Sequence, residues 1–205
     1  MGCFVMIAKS GIIASALLGI LALLVGGIVW LAPLVIFFVF GNIVTRIGKG
    51  RKEKMGCGQK KRTWVNVFAN GGAFFVFNVM FFLTGNWIFF YSAVASMACA
   101  TSDTTATELG QLYGKNPRLL NLKKAKPGDA GAMSKEGILA SLIGTTVVSS
   151  LVLFIDIQMV LPIFCAGFLG ASLDSVFGNL EKYGLMNTHV NNFITTLIAG
   201  LVVVF

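Results

Sequence analysis

Three acidic side chains stand where a mostly apolar chain has least reason to keep them. Asp103 and Glu108, in "SDTTATELG", close one apolar run, and Asp174, in "GFLGASLDSVFGN", closes another. A carboxylate inside a bilayer costs about 2.5–3.5 kcal/mol even on the cheaper insertion scales, which makes it a functional hypothesis by default. Two basic stretches accompany them. Residues 46–62, "RIGKGRKEKMGCGQKKR", hold eight Lys or Arg against one Glu, and residues 110–136 hold six against two acids. Carboxylates on separate helices facing such loops suit a magnesium nucleotide site. Mg²⁺ takes hard oxygen ligands and usually keeps water and substrate phosphates. Phosphoryl transfer asks the protein chiefly for positioning and for neutralisation of charge. A plainer reading stays open: acids near helix ends that reach the interface and pair with loop lysines.

The elements that must position these residues are membrane helices. The 205 residues are 56% hydrophobic and only 12% charged, with a mean hydropathy of +0.84. That composition excludes a soluble enzyme and predicts one polytopic transmembrane domain over 1–205, all-α. Apolar runs fall at about 10–28, 31–47, 64–84, 86–109, 137–155, 158–177 and 190–205, which predicts about seven helices, with six possible. Pro33 and its neighbours are expected to separate the first two. The first run has no small-residue cleavage site and is followed by more spans, so it reads as a retained helix, not a signal peptide. The opening "MGCFVM" lacks the Ser or Thr of a myristoylation signal. No internal repeat is evident, which disfavours a secondary transporter.

Charge sets the expected orientation. With Lys9 cytoplasmic and seven alternating runs, all 16 Lys and Arg fall on one side. Lys and Arg collect in cytoplasmic loops, so the amino terminus and the loops at about 48–63, 110–136 and 178–189 are expected to be cytoplasmic. Asp103, Glu108 and Asp174 then converge at that face, while Glu53, Asp129, Glu136, Glu181 and Asp156 read as loop residues.

Other chemistry-bearing residues say less. Cys3, Cys57, Cys99 and Cys165 are scattered, with no CxxC pair, and read as packing residues. His189 is the only histidine and reads as a capping or interfacial residue. "GQLYGKNP" is not a Walker A sequence, though the glycines of "GKG", "GCG" and "KPGDAG" would let backbone N–H groups approach phosphate. In "NVFANGGAFF", Asn66 and Asn70 share one helix face. They read either as packing residues or, for Asn70, as a donor to phosphate or to a metal-bound water.

"KSGIIASALLGILALLVGG", "TRIGKGRKEKMG", "VNVFANGG", "SDTTATELG", "GKNPRLLN", "KPGDAGAMSKEGILASLIG" and "GFLGASLDSVFG" occur in this order. Over nearly the whole chain the sequence resembles the integral-membrane family that includes plant phytyl-phosphate kinase of the vitamin E pathway, with archaeal, bacterial and animal members. The resemblance implies a CTP-dependent kinase that converts an isoprenoid monophosphate of the phytyl or geranylgeranyl type to the diphosphate, with Mg²⁺ expected as cofactor from the acidic residues. Carried onto matching positions, it implies Asp103, Glu108 and Asp174 as catalytic, metal-holding residues, with Glu108 a third ligand or an orienter of the other two. Arg46, Lys49, Arg51, Asn70, Lys115 and Arg118 are the implied phosphate-binding residues, and Lys126 of the second basic loop is a further candidate for that role. This chain departs from the family at Thr105, where Trp is common, and at Gly128-Asp129-Ala130-Gly131-Ala132, where a Gly-Thr-(Asp/Asn)-Gly-Gly turn is common.

The expected partners are a nucleoside triphosphate, CTP first, a prenyl monophosphate and the membrane lipids around the chain, with no nucleic acid. The expected location is the cell membrane, multi-pass, with the active site facing the cytoplasm. The rival readings are a prenol kinase, a cytidylyltransferase acting on a lipid precursor, an anion transporter or channel, and a membrane scaffold without catalysis.

Overall fold

Gly26 and Gly27 decide the course of the first apolar stretch. In the computed structural model, which describes residues 7–57 and 61–205, α1 (Lys9–Arg46) is broken there, with Gly27 at φ 70° and Gly26 at φ −143°. Gly26 also lies so close beneath the Trp30 indole that a Cβ would enter the ring. An unbroken helix of 38 residues would be about 57 Å long, yet both ends of α1 meet one residue. The Ala8 N–H donates to the Arg62 carbonyl at 2.9 Å, and Arg62 Nη2 donates to Thr45 Oγ1 at 3.5 Å. The two limbs, 9–25 and 28–46, therefore form an antiparallel hairpin. The expected separator, Pro33, sits buried inside the second limb instead; the reversal needs a left-handed residue, which glycine adopts without steric cost. Cys3, the opening "MGCFVM" and Lys60 lie outside the described residues.

The remaining helices follow the predicted runs. They are the short α2 (Lys49–Lys54), α3 (Trp64–Thr84), α4 (Ile88–Tyr113), α5 (Lys135–Ser149), α6 (Val160–Lys182) and α7 (Thr188–Val204). Two short 3-10 segments, Ser150–Phe154 and Ile157–Met159, join α5 to α6. Among the described residues, four helical stretches are long and apolar enough to cross a membrane: Lys9–Arg46, Trp64–Thr84, Lys135–Phe154 and Ile157–Glu181. α7 is 17 residues long. α4 is excluded by its polarity, and the reason is its place. It is the central helix, packed by α1, α3, α5, α6 and α7, so its serines and threonines from Ser92 to Thr105 are buried against protein.

Small residues bring the neighbours of α4 close, as is usual for helices packing in lipid. A Cβ on Gly144 of α5 would lie 2.8 Å from the Ser102 Cα, and the Ser102 hydroxyl donates to the Ser141 carbonyl at 2.9 Å. Gly167 of α6 faces Ala98, and Gly170 faces Cys99, where a Cβ would come within 2.7 Å of the sulfur. At the end of the bundle remote from the basic loops, Trp30 is fully buried. Its ring meets Phe81 at 4.8 Å and Phe90 at 5.1 Å between centroids. That end is an aromatic core, and the basic loops lie at the other.

Candidate active site

The contacts of α6 with α4 dictate the geometry of the site. The two helices run parallel, Gly170 opposite Cys99, so one helical turn further along each, four residues on, Asp174 meets Asp103. Their carboxyl groups face each other at hydrogen-bonding range. Thr195 Oγ1 of α7 donates to Asp174 Oδ1 at 3.4 Å, and Thr107, one turn after Asp103, lines the same cavity. Both acids lie deeper than the run ends indicated, since α4 continues to Tyr113 and α6 to Lys182.

The pair lines a cavity of about 960 Å³. One end of that cavity is polar, with Lys61, Arg62, Asn70, Asn192, Glu181 and His189 in its walls; the other is apolar, with Leu18, Leu31, Leu34, Phe37 and Phe38 of the α1 hairpin. Asn70 Nδ2 donates to the Asn66 carbonyl at 2.9 Å, and its Oδ1 accepts from Asn192 Nδ2 at 3.3 Å. Asn66 also has a local task, since its Oδ1 accepts from the Thr63 N–H at 2.9 Å and caps α3. Glu181, read from sequence as a loop residue, belongs to the last turn of α6. It accepts from Thr188 at 2.7 Å and from Asn191 at 2.8 Å.

The amino-terminal ends of α3, α5 and α7 also reach this space, through Thr63 and Asn66, Ser134 and Gly137, and Thr188 and His189. Helix amino ends carry partial positive charge and favour phosphate. The segment 127–134 closes the same wall. It is pinned by reciprocal backbone bonds between Arg118 and Met133 of 2.9 and 2.8 Å. It is seated on α6 at Gly178, where a Cβ would lie 2.6 Å from the Gly131 nitrogen. Gly131 itself takes a φ of 72°.

Of the residues singled out in the sequence, the structure brings Asp103, Asp174 and Asn70 together around one cavity. It separates Glu108 from them. Five helical residues are a rotation of about 500°, or 140° net, so Glu108 points away from the Asp103 face. It is 1% exposed and paired with Lys52, itself 3% exposed. The expected meeting of three acids is thus not found, and among the described residues no three His, Cys, Asp or Glu side chains cluster to hold one metal ion. The cations are redistributed as well. Arg46, Arg51, Lys115, Arg118 and Lys126 are exposed and, with the half-buried Lys49, stand outside the cavity lining. Lys49 lies 3.9 Å from Glu53. The Lys115 N–H donates to Glu136 at 3.0 Å, Arg118 Nη1 to the Leu122 carbonyl at 3.5 Å, and the Lys126 N–H to Asp129 at 2.9 Å.

The cations that do line the cavity, Lys61 and Arg62, close the first basic run. Their signal in the sequence is position, just before the Thr63 cap of α3. Burial pushes the Arg62 guanidinium below its ordinary pKa, and the nearby Glu108 carboxylate opposes that shift.

A helical bundle with an apolar, lipid-facing exterior and a cavity lined by an inward carboxylate pair and two cations defines an integral membrane protein with a polar site at one end. The chain belongs to the family described as integral membrane protein DUF92, which residues 4–200 match. It is 33% identical over 198 residues to an uncharacterised membrane protein of Methanocaldococcus jannaschii, covering 95% of this chain and 83% of that protein. It is 28% identical over 179 residues to Protein PGR of Arabidopsis thaliana, covering 72% of this chain. To the chloroplastic Protein VTE6 of the same plant it is 26% identical over 225 residues, covering 97% of this chain. This chain spans 62% of PGR and 64% of VTE6, less than two thirds of either. No solved structure matches.

Proposed function

We propose that this protein is a membrane-embedded phosphotransferase that converts an isoprenoid monophosphate to the diphosphate, with Mg²⁺ as cofactor and CTP as donor. The observation that carries the reading is the divided cavity: Asp103 and Asp174 face each other where a polar, cationic end meets an apolar end within the bundle. A lipid phosphate has the same two halves. Kinship with VTE6 and the resemblance to the family of plant phytyl-phosphate kinase support the choice of an isoprenoid acceptor.

The donor set suits Mg²⁺. Two facing carboxyls supply hard oxygens, and like charges at this range call for a proton or a cation between them. Glu181 lines the same cavity, but among the described residues no third acid joins the pair in a cluster that could hold one ion, which leaves the other positions to water and phosphate, as Mg²⁺ sites usually do. Asp103 and Asp174 would hold the ion, which when bound neutralises charge on the donor phosphates. Lys61 and Arg62 bind phosphate oxygens, and the amino ends of α3, α5 and α7 add their dipoles. The acceptor phosphate, with a second pKa near 6, is already a dianion at neutral pH. Its oxygen attacks the γ-phosphorus, the bridging bond breaks, and the nucleoside diphosphate leaves with that electron pair. No side chain has to take a proton, which fits a site whose one histidine lies at the rim. The α1 hairpin holds the isoprenoid tail and excludes water from the deep end.

The test is incubation of the purified protein in lipid nanodiscs with Mg²⁺, each nucleoside triphosphate, and a panel of prenols and prenyl monophosphates, with products identified by mass. A prenyl diphosphate with CDP is expected. Release of CMP would instead identify a cytidylyltransferase, and a prenyl monophosphate formed from the free alcohol would identify a prenol kinase. Nucleotide-independent anion flux in sealed liposomes would identify a transporter.

A further inference from the structure

Glu108 is a buried acid that the cavity does not use. Its Oε2 is bonded by Lys52 Nζ, which also donates to the Thr45 carbonyl at 3.0 Å. Its Oε1 is buried and has no hydrogen-bond partner among the described residues. A buried ion pair is weak evidence for stability, because desolvating both charges offsets their attraction. Position is the better explanation. Lys52 is the one residue of α2 that is buried, and it draws that helix onto α4. Thr45 is shared: its carbonyl accepts from Lys52, and its hydroxyl accepts from Arg62 Nη2 at 3.5 Å.

The Arg62 main chain is held independently. Its carbonyl accepts from the Ala8 N–H at 2.9 Å, and it passes so close to Gly11 that a Cβ there would lie 2.7 Å from that oxygen. The backbone is thus fixed and the guanidinium is left to be aimed. The buried Glu108 carboxylate acts on that guanidinium, and the buried Lys52 ammonium meets it across Thr45. Without the carboxylate, the Lys52 charge behind the cavity wall would be unopposed and the guanidinium would be repelled from its place.

We infer that Glu108 and Lys52 are positioning residues: the pair holds the Arg62 guanidinium at the cavity wall, aimed at a phosphate group of a bound polyphosphate. This rests on reading the cavity as a phosphate site, and it assigns to Glu108 an action through Arg62 in place of direct contact with metal or substrate.

The test is a double-mutant cycle read by pyrophosphate binding to the full chain in nanodiscs, using calorimetry, with KM and kcat measured alongside. Glu108→Gln is expected to weaken pyrophosphate binding and raise KM by roughly tenfold, the scale of one charge-assisted hydrogen bond, with kcat changed less. Arg62→Ala is expected to do the same, and the double variant to be no worse than Arg62→Ala alone. Lys52→Met/Glu108→Met, which replaces the pair by apolar side chains and leaves no lone buried charge, keeps the fold readable and should share the tenfold defect. Multiplying effects of Glu108→Gln and Arg62→Ala, wild-type binding in Lys52→Met/Glu108→Met, or no pyrophosphate binding by the wild-type protein would each overturn the inference. Pyrophosphate binding with the expected cycle but no phosphoryl transfer would instead sink the kinase reading and leave the positioning role standing.

Discussion

Asp103 and Asp174 are the residues on which the site turns, and their arrangement has an opposite sign for stability and for function. Two carboxyls at hydrogen-bonding range oppose each other's ionisation. Removing one acid relieves that opposition, and residues arranged for function are often kept at a cost to the fold. Asp103→Asn and Asp174→Asn should therefore each melt at or above the wild-type temperature while product formation falls by about 10² to 10³, as when one electrostatic contact to the transition state is lost. Thermal melts and product analysis on the same preparations check both halves. Full activity in either variant would remove the pair from the chemistry, and collapse of the fold would make the acids structural. These two residues were legible in the sequence because an acid in an apolar run needs a reason. The position of Glu108 was legible only through helix geometry, since its five-residue spacing from Asp103 turns it to another face. Lys61 and Arg62 are marked among the eight cations of their run only by their position before the Thr63 cap, and what fixes Arg62 at the cavity is its contact with the start of α1, made across the fold.

At the scale of elements, the apolar runs located the helices well and their joints poorly. The reversal of α1 lies at Gly26-Gly27 and not at Pro33 because a left-handed φ reverses a chain, whereas the structure accommodates Pro33 within a limb. α4 shows the converse: its polarity hides it from a hydropathy criterion, and that polarity is the mark of a central helix. The segment 127–134 departs from the family's usual turn, and sequence alone does not say where it rests. Its seat on α6 is set by Gly178, where a side chain would meet the Gly131 backbone at 2.6 and 2.9 Å. Gly178→Leu should lift this segment from the cavity while the helices stay assembled. Cleavage by trypsin after Lys123 and Lys124, both exposed already, should accelerate severalfold, and KM should rise more than kcat falls. Unchanged cleavage and KM would show that the segment does not depend on this contact.

For the whole molecule, the segregation of charge follows from the same alternation of helices that builds the site. All 16 Lys and Arg belong to the amino terminus, the two long loops and the α6–α7 end, while the turns at 85–87 and 155–157 carry none. The amino ends of α3, α5 and α7 point to the basic side for that reason, so the phosphate-attracting dipoles and the cations arise together from one topology. If Lys and Arg mark the cytoplasmic face, the cavity opens to the compartment that holds nucleoside triphosphates, which the proposed reaction requires. In a variant with its native cysteines replaced, Asn86→Cys in the α3–α4 turn should react with a membrane-impermeant thiol reagent in intact cells. Lys124→Cys, in the loop beside the cavity, should react only after permeabilisation. Both positions are exposed, so access would be limited by the membrane and not by the fold. The reverse pattern would put the cavity on the outer face, away from its donor, and the kinase reading would fail with the orientation.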